Sequence, residues 1–509
     1  MQKRAWIALV AIYLFSRLYQ LEHWPVWTAD EGLLALPAAR WWIERDPFPD
    51  GFPNAIRFPL WTLLLGGLYG IAGPDLMVGR LLSVTTGLLA LVLLIRATGP
   101  HTGIEGRRCL VVVAFLCDFV LLRYQRYGLV ESSLCLLLLL VGRLWGRSEL
   151  VRVGRLRVEA RVIAAAALAA ALLLKLTAIV VLPGLVCHAW LLARRARRPV
   201  TARLVVELLP PLLVAVEIYL LLGCLYPDRF TAAWSPYLAR SADLANSRLR
   251  SATIVLVASP GLWALALAGV WNRRRSLDPE DGLLMTWLGV GGAVLLLLPA
   301  PPVRYFMAVY PALIILAACR GGAPRQHPPA PPPPPPPPRP PAPPPPPAPP
   351  PPPPPPPRVG QWPSPSLMVV HLLFLGWREF PGAAARSDAV REVGHALAGR
   401  SGGAVLGRAQ YGAALRRPFH EMTLSGALIL SDTTLARLGV EWVIYDAAEW
   451  GAIDLRAGGT SRRYLQMHGK LLSDREGVQV WRVSPDSVQF RARALRRRLA
   501  LLAAARRTE

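Results

Sequence analysis

Long apolar stretches recur through the first 320 residues, each closed by arginine clusters, prolines or glycines. A helix of about 20 apolar residues crosses the hydrocarbon core of a bilayer. The pattern therefore predicts a mainly α, polytopic membrane protein and excludes a soluble domain with one core. Expected spans cover residues 5–21, 76–97, 109–122, 128–146, 162–174, 176–193, 204–223, 252–271, 283–299 and 303–319. A run at 365–377 is the last, for a total of about eleven. The apolar run 59–73 is short for a span at ~1.5 Å of rise per residue, and reads as an interfacial or re-entrant helix. The start, "MQKRAWIALVAIYLFSRLYQL", is basic and then apolar, like a signal peptide. No small-x-small cleavage site follows it, so it reads as an uncleaved first span.

The polar residues between these runs set the orientation. Loops that face the cytoplasm collect Lys and Arg. "MQKR" places the N-terminus there, and so do "GRR" (106–108), "RSELVRVGRLRVEAR" (147–161), "RRARRPVTAR" (194–203) and "NRRRS" (272–276). Residues 22–58 carry six acids and three arginines, which suits the extracytoplasmic face. Residue 58 outside and residue 107 inside require an odd number of crossings between them, which keeps 59–73 out of the span count. The whole chain has 57 Lys+Arg against 32 Asp+Glu, a net charge of +25. The positive-inside rule and anionic headgroups account for that excess. No nucleic-acid motif accompanies the charge, so nucleic acid is not an expected partner. None of the six cysteines forms a C-x-x-C pair, so neither a zinc site nor a disulfide framework is suggested.

Residues 1–320 form the multi-span membrane domain. Residues 321–360 are a proline-rich linker: no helix or strand survives that proline density, and polyproline II or disorder is expected. Residues 361–379 hold the last span. From 380 to 490 the character changes, and "AVLG", "VEWVIYDA" and "VQVWRV" read as short strands among helical stretches. This part is expected to be a small extracytoplasmic α/β domain. The tail 491–509 contains seven arginines in "RARALRRRLALLAAARR" and forms a basic amphipathic helix suited to lipid headgroups.

Candidate chemistry begins in "WTADEGLLALPAARWW" (27–42), where Asp30 and Glu31 stand side by side just after the first span. Thr28 or Asp30 can cap a helix, with acid at its positive end. The same acids can also be a reactive centre, and the pair alone does not decide. Downstream, "NAIRFPLW" (54–61), "PDLMVGRLLSV" (74–84), "RYQRYGLVESS" (123–133), "LLLKLTAIVVLP" (172–183) and "PPVRYFMAVYP" (301–311) each put charge at an outer membrane boundary. Snorkelling explains any one of them. Several on one face point to a polar site, because ionisable groups near lipid are expensive.

Taken in order, these elements resemble the GT-C membrane glycosyltransferases of the protein O-mannosyltransferase and lipid A aminoarabinose transferase type. The family's acidic pair, which opens a juxtamembrane helix in the first outer loop, matches Asp30-Glu31. Its Lys-Pro-Pro-Leu element matches Arg57-Phe58-Pro59-Leu60, with the lysine and one proline replaced. Its Arg-Leu element opening the second span matches Gly79-Arg80-Leu81-Leu82-Ser83. The next element runs from Arg126 to Glu131, another from Lys175 to Pro183, and the last holds Arg304, Tyr305 and Pro311. The proline tract departs from the family and looks like an insertion.

The resemblance implies transfer of a sugar from a polyprenyl-phosphate donor to an acceptor on the extracytoplasmic face, with inversion. The acceptor class stays open among protein, glycolipid and cell-envelope polymer. It implies Asp30 as the base, Glu31 as the group that orients it or the acceptor, and Glu131 as a contact to acceptor or sugar. Arg57, Arg80, Arg126, Lys175 and Arg304, with Tyr305, become the donor-phosphate contacts. No cofactor and no nucleotide sugar are implied. In the branch that the chain resembles, catalysis is metal-independent, although Asp30, Glu31 and Glu131 are a set able to hold a divalent cation. Two other classes stand beside this reading: a polytopic lipid or solute transporter or flippase, and a non-catalytic glycosyltransferase relative. A transporter should show internal repeats and mid-membrane sites. The two halves here show no convincing repeat, and the acids sit at a boundary.

Overall fold

A computed structural model describes residues 3–22, 28–49, 52–97, 105–145, 150–153, 156–197, 199–238, 253–256, 259–273, 278–297 and 303–318 of the first part of the chain. Of the second part it describes 404–407, 419–421, 430–447, 460–475, 477–484, 487–489 and 491–493, with the single positions 147, 393, 397, 411 and 450. The proline linker, the expected span at 365–377 and the tail beyond 493 lie outside the described residues.

The first part is helical: α1 (Lys3–Leu18), α2 (Ala29–Glu44), α3 (Pro53–Arg57), α4 (Pro59–Ala72), α5 (Leu76–Ala97), α6 (Glu105–Cys117), α7 (Phe119–Arg126), α8 (Glu131–Leu144), α9 (Ala160–Leu174), α10 (Leu182–Ala196), α11 (Val200–Leu225) and α12 (Pro227–Leu238). Further helical segments cover Pro260–Arg273, Pro279–Leu297 and Val303–Ala318. Among the described residues, four helices are long and apolar enough to cross a membrane: Leu76–Arg96, Leu176–Ala196, Leu204–Leu225 and Pro279–Leu297. Taking α7 and α8 as one bent span makes five. α1, α4, α9 and Pro260–Trp271 contribute shorter apolar helices. The chain is a multi-pass membrane protein.

Several expected spans are broken, and each break has a local cause. The stretch 109–122 is interrupted at Asp118, whose carboxylate accepts from Leu121 N at 2.8 Å and so caps α7. α7 and α8 then meet at 118° through residues 127–130. Gly128 sits so close to α5 that a Cβ there would lie 3.2 Å from Arg80 N. α9 ends at Lys175, where the backbone is extended, and a 3-10 turn (Leu176–Val181) leads into α10. A π segment at Trp287–Gly291 interrupts the helix Pro279–Leu297. The "RSELVRVGRLRVEAR" loop folds into an antiparallel hairpin, β1 (Leu150–Val153) with β2 (Leu156–Glu159), which hydropathy alone did not foretell.

The second part holds a five-stranded mixed sheet in the order β4-β3-β5-β7-β6. Its strands are β3 (Ala404–Gly407), β4 (Phe419–Glu421), β5 (Val440–Asp446), β6 (Gly469–Arg475) and β7 (Val478–Val483). β3 runs parallel to β4 and β5, while β5, β7 and β6 pair antiparallel. The strands expected at "AVLG", "VEWVIYDA" and "VQVWRV" are β3, β5 and β7. Both faces of the sheet are covered, which is why "VEWVIYD" reads as a nearly unbroken apolar run. Leu406, Val443, Tyr445, Trp481 and Val483 pack against Leu435 and Leu465 of the helices Asp432–Leu438 and Thr460–His468. On the opposite face, Val405, Phe419, Trp442, Ile444, Val478 and Val480 pack against Leu33 and Leu36 of α2 and against Phe52. Leu36 is 1% exposed there, a burial that contributes roughly 2 kcal/mol. The sheet thus grips the helix whose first turn holds Asp30 and Glu31, while α4 packs along the same helix.

Candidate active site

α2 starts with a reciprocal cap. Glu31 N donates to Thr28 Oγ1 at 3.3 Å, and Thr28 N donates to Glu31 Oε2 at 3.1 Å. This capping box closes two backbone donors that the first turn would otherwise leave open. The N-cap is Thr28, and Asp30 lies inside the first turn. The same Glu31 carboxylate takes a fork from Arg80 of α5, with Nε to Oε1 at 2.8 Å and Nη2 to Oε2 at 3.0 Å. Gly128 N adds a fourth donor at 2.8 Å. Arg80 also donates from Nη1 to Leu21 O at 2.6 Å. Glu31 is 1% exposed and Arg80 0%. A buried pair of this kind holds only when its remaining lone pairs and protons are met, and here the carboxylate meets four donors.

Asp30 belongs to a different group. Both guanidinium Nη atoms of Arg304 reach its carboxylate. Arg304 Nε stands 3.7 Å from Glu131 Oε1, and Lys175 Nζ donates to that same oxygen at 2.5 Å. The ring of Tyr305 closes the cluster, with Lys175 Nζ 4.4 Å and Arg304 Cζ 6.0 Å from its centroid. Exposure falls steadily across the group: Asp30 44%, Arg304 27%, Lys175 6%, Glu131 2%. Glu131 Oε2 is buried and has no hydrogen-bond partner. Lys175 lies between two apolar segments. Burial pulls its ammonium below the ordinary lysine range, and Glu131 opposes that shift.

Helix breaks assemble this group. Lys175 is displayed by the extended residue that ends α9, Glu131 by the first turn of α8 after the α7–α8 bend, and Arg304 and Tyr305 by a 3-10 turn, Val303–Ala308. In the arrangement, two cations are spaced to neutralise an anion, a partly exposed carboxylate can take a proton, and a buried carboxylate oxygen can accept one more hydrogen bond.

The other expected residues take no part in the ion pairs of this group. Arg126 donates to Ser16 O and Tyr19 O, each at 2.7 Å, and is 2% exposed. It therefore ties down the end of α1. Arg80 is committed to Glu31. Arg57 ends α3, with Nε donating to Ala233 O of α12 at 2.5 Å and Nη1 to Asn54 Oδ1 at 3.1 Å. As for a metal, Glu31 is paired with Arg80 whereas Asp30 and Glu131 share Arg304, and among the described residues no grouping of three or more His, Cys, Asp or Glu could hold an ion. Gly128 contributes through its backbone N–H, which leaves no signal in the sequence. Thr28 did leave one, since Thr-x-x-Glu is the capping-box pattern.

Broken spans around a charged cluster, a capped helix α2 and a sheet that grips it together define the fold. Two solved structures of ArnT, the lipid A aminoarabinose transferase, from Cupriavidus metallidurans share it. The apo form matches with a TM-score of 0.61 at 14% identity, over 95% of this chain and 98% of that one. The form bound to undecaprenyl phosphate matches with a TM-score of 0.58 at 13% identity, over 94% and 98%. No protein-family model and no curated protein sequence matches the chain. The resemblance read from the sequence thus holds at the level of the fold, along nearly the whole length.

Proposed function

We propose that the chain is an integral membrane glycosyltransferase that moves a sugar from a polyprenyl-phosphate donor to an acceptor on the extracytoplasmic face. The observation that carries this reading is the Asp30–Arg304–Glu131–Lys175 cluster, with its single unsatisfied carboxylate oxygen. The likeness to ArnT bound to undecaprenyl phosphate supports the donor class. The N-terminus faces the cytoplasm, in keeping with the basic clusters of the loops, and the C-terminal sheet, packed on α2 of the first outer loop, lies on the opposite side.

In the resting site Asp30 is held by Arg304. The donor phosphate competes for Arg304 and Lys175, and its arrival frees the Asp30 carboxylate. Those cations stabilise the charge that builds on the phosphate as the glycosidic bond breaks. Asp30 then takes the proton of the acceptor nucleophile. One in-line displacement inverts the anomeric centre. Glu131 Oε2 accepts a hydrogen bond from a sugar or acceptor hydroxyl. Arg57 supplies a further cation to the phosphate, in the place where the family carries lysine. Arg80, Arg126 and Glu31 serve as positioning groups. The acceptor is a protein, a glycolipid or another cell-envelope polymer.

The test is sugar release from labelled polyprenyl-phosphate donors by purified wild type and Asp30→Asn, with membrane extract as acceptor. Asp30→Asn is expected to be slower by ~10²–10⁴-fold, the range for losing a general base. Equal rates would reduce Asp30 to a helix-terminal acid. If no donor is consumed while a lipid-scrambling assay responds, the protein is a flippase.

A further inference from the structure

Two short helix ends carry the cations Arg57 and Lys175, and both leave carbonyls at their last turn. Arg57 O closes α3. In α9, Lys175 N still reaches Ala171 O at 2.9 Å, but the chain then turns extended at Lys175, and the helix offers Leu172 O no following N–H. Water is scarce at such a boundary, so carbonyls of this kind need a protein donor.

One side chain from a third element serves both. Tyr219, near the end of α11, places its hydroxyl 3.2 Å from Arg57 O and 3.4 Å from Leu172 O. A phenol has one proton, so the two carbonyls share it. The ring of Tyr219 also meets Trp234 of α12 edge-on, with centroids 6.2 Å apart. Trp234 follows Ala233, whose carbonyl accepts from Arg57 Nε. Tyr219 therefore touches the backbone of Arg57, the neighbour of its side-chain partner, and the turn that presents Lys175. These contacts join parts of the chain 162 and 47 residues apart.

We propose that Tyr219 is a positioning residue that sets the spacing between Arg57 and Lys175 for a lipid-linked phosphate. The inference rests on the glycosyltransferase reading and adds a residue that belongs to none of its motifs. The hydroxyl touches no reacting atom. It acts by keeping α3 and the end of α9 in one register, so that one phosphate meets both cations.

Binding of undecaprenyl phosphate to the full-length protein in lipid nanodiscs tests it, with wild type, Tyr219→Phe, Arg57→Gln and the double variant. Phenylalanine keeps the ring packing and removes only the hydroxyl. Tyr219→Phe is expected to weaken binding by ~3- to 10-fold, the worth of one such hydrogen bond. Once Arg57→Gln has removed one of the two cations their spacing loses its meaning, so the double variant should bind within about twofold of Arg57→Gln. Equal binding by wild type and Tyr219→Phe overturns the role of Tyr219 and leaves the glycosyltransferase reading standing. Fully additive losses also overturn it, because they mark a general structural contact. A wild type that binds no undecaprenyl phosphate overturns the glycosyltransferase reading, and this inference with it.

Discussion

The two ion-pair centres at the start of α2 are built from the same residue types and are opposite in character. At Glu31–Arg80 the carboxylate is met by four protein donors, and exposure is at or near zero. At Asp30–Arg304–Glu131–Lys175 the charges balance, yet one carboxylate is nearly half exposed and another keeps a lone oxygen. A saturated centre has nothing left to offer a ligand. An unsaturated one has cations that an anion can claim and an acceptor that a hydroxyl can fill. Adjacent acids in one helical turn are thus divided between a closed pair that holds the fold and an open cluster that is partly exposed.

The largest contrast lies in stability. Glu31→Ala leaves Arg80 buried without its partner, and about 3–5 kcal/mol should be lost. Thermal unfolding in detergent, or the yield of folded protein, would read this. Asp30→Asn should stay within about 1 kcal/mol of wild type, because a partly exposed pair contributes little, while its activity collapses. Similar destabilisation by both changes would erase the distinction between the centres.

A middle-sized effect sharpens the comparison within the open centre. Glu131→Gln removes the charge that opposes the burial of Lys175, so its ammonium falls further and loses its proton at lower pH. Binding of undecaprenyl phosphate should drop about tenfold at neutral pH. It should also weaken with rising pH, beginning at a lower pH than in wild type. An unchanged pH profile would mean that Glu131 does not govern Lys175.

The smallest effect tests the saturated centre at its edge. Thr28→Ala removes one arm of the capping box and should cost about 1 kcal/mol, with donor consumption largely retained. A loss of activity as large as that of Asp30→Asn would show that cap and catalysis are not separable.

Much of this was legible in the chain, for reasons that can be named. Apolar runs locate helices because lipid demands them, and β3, β5 and β7 were visible because strands covered on both faces read as nearly continuous apolar runs. β4 and β6 were not, since "FHE" and "GKLLSDR" are the polar edges of the sheet. The charged residues at the boundaries could be named from the sequence alone. Which of them share a site was hidden, because Arg80 and Arg126 carry the same charge at the same kind of boundary as Lys175 and Arg304. The breaks at Asp118 and Lys175 were hidden as well, since hydropathy averages over a single extended residue.

The sequence by itself determined the class of structure, the order of its elements and the inventory of charged groups at the boundary, because these follow from solvent preference and local backbone chemistry. Only the tertiary structure decided how those charges are divided. Asp30 and Glu31 are neighbours in the chain, but a helix turns about 100° per residue. One side chain therefore meets Arg80 and Gly128 in a closed interior, and the other meets Arg304 where the site opens.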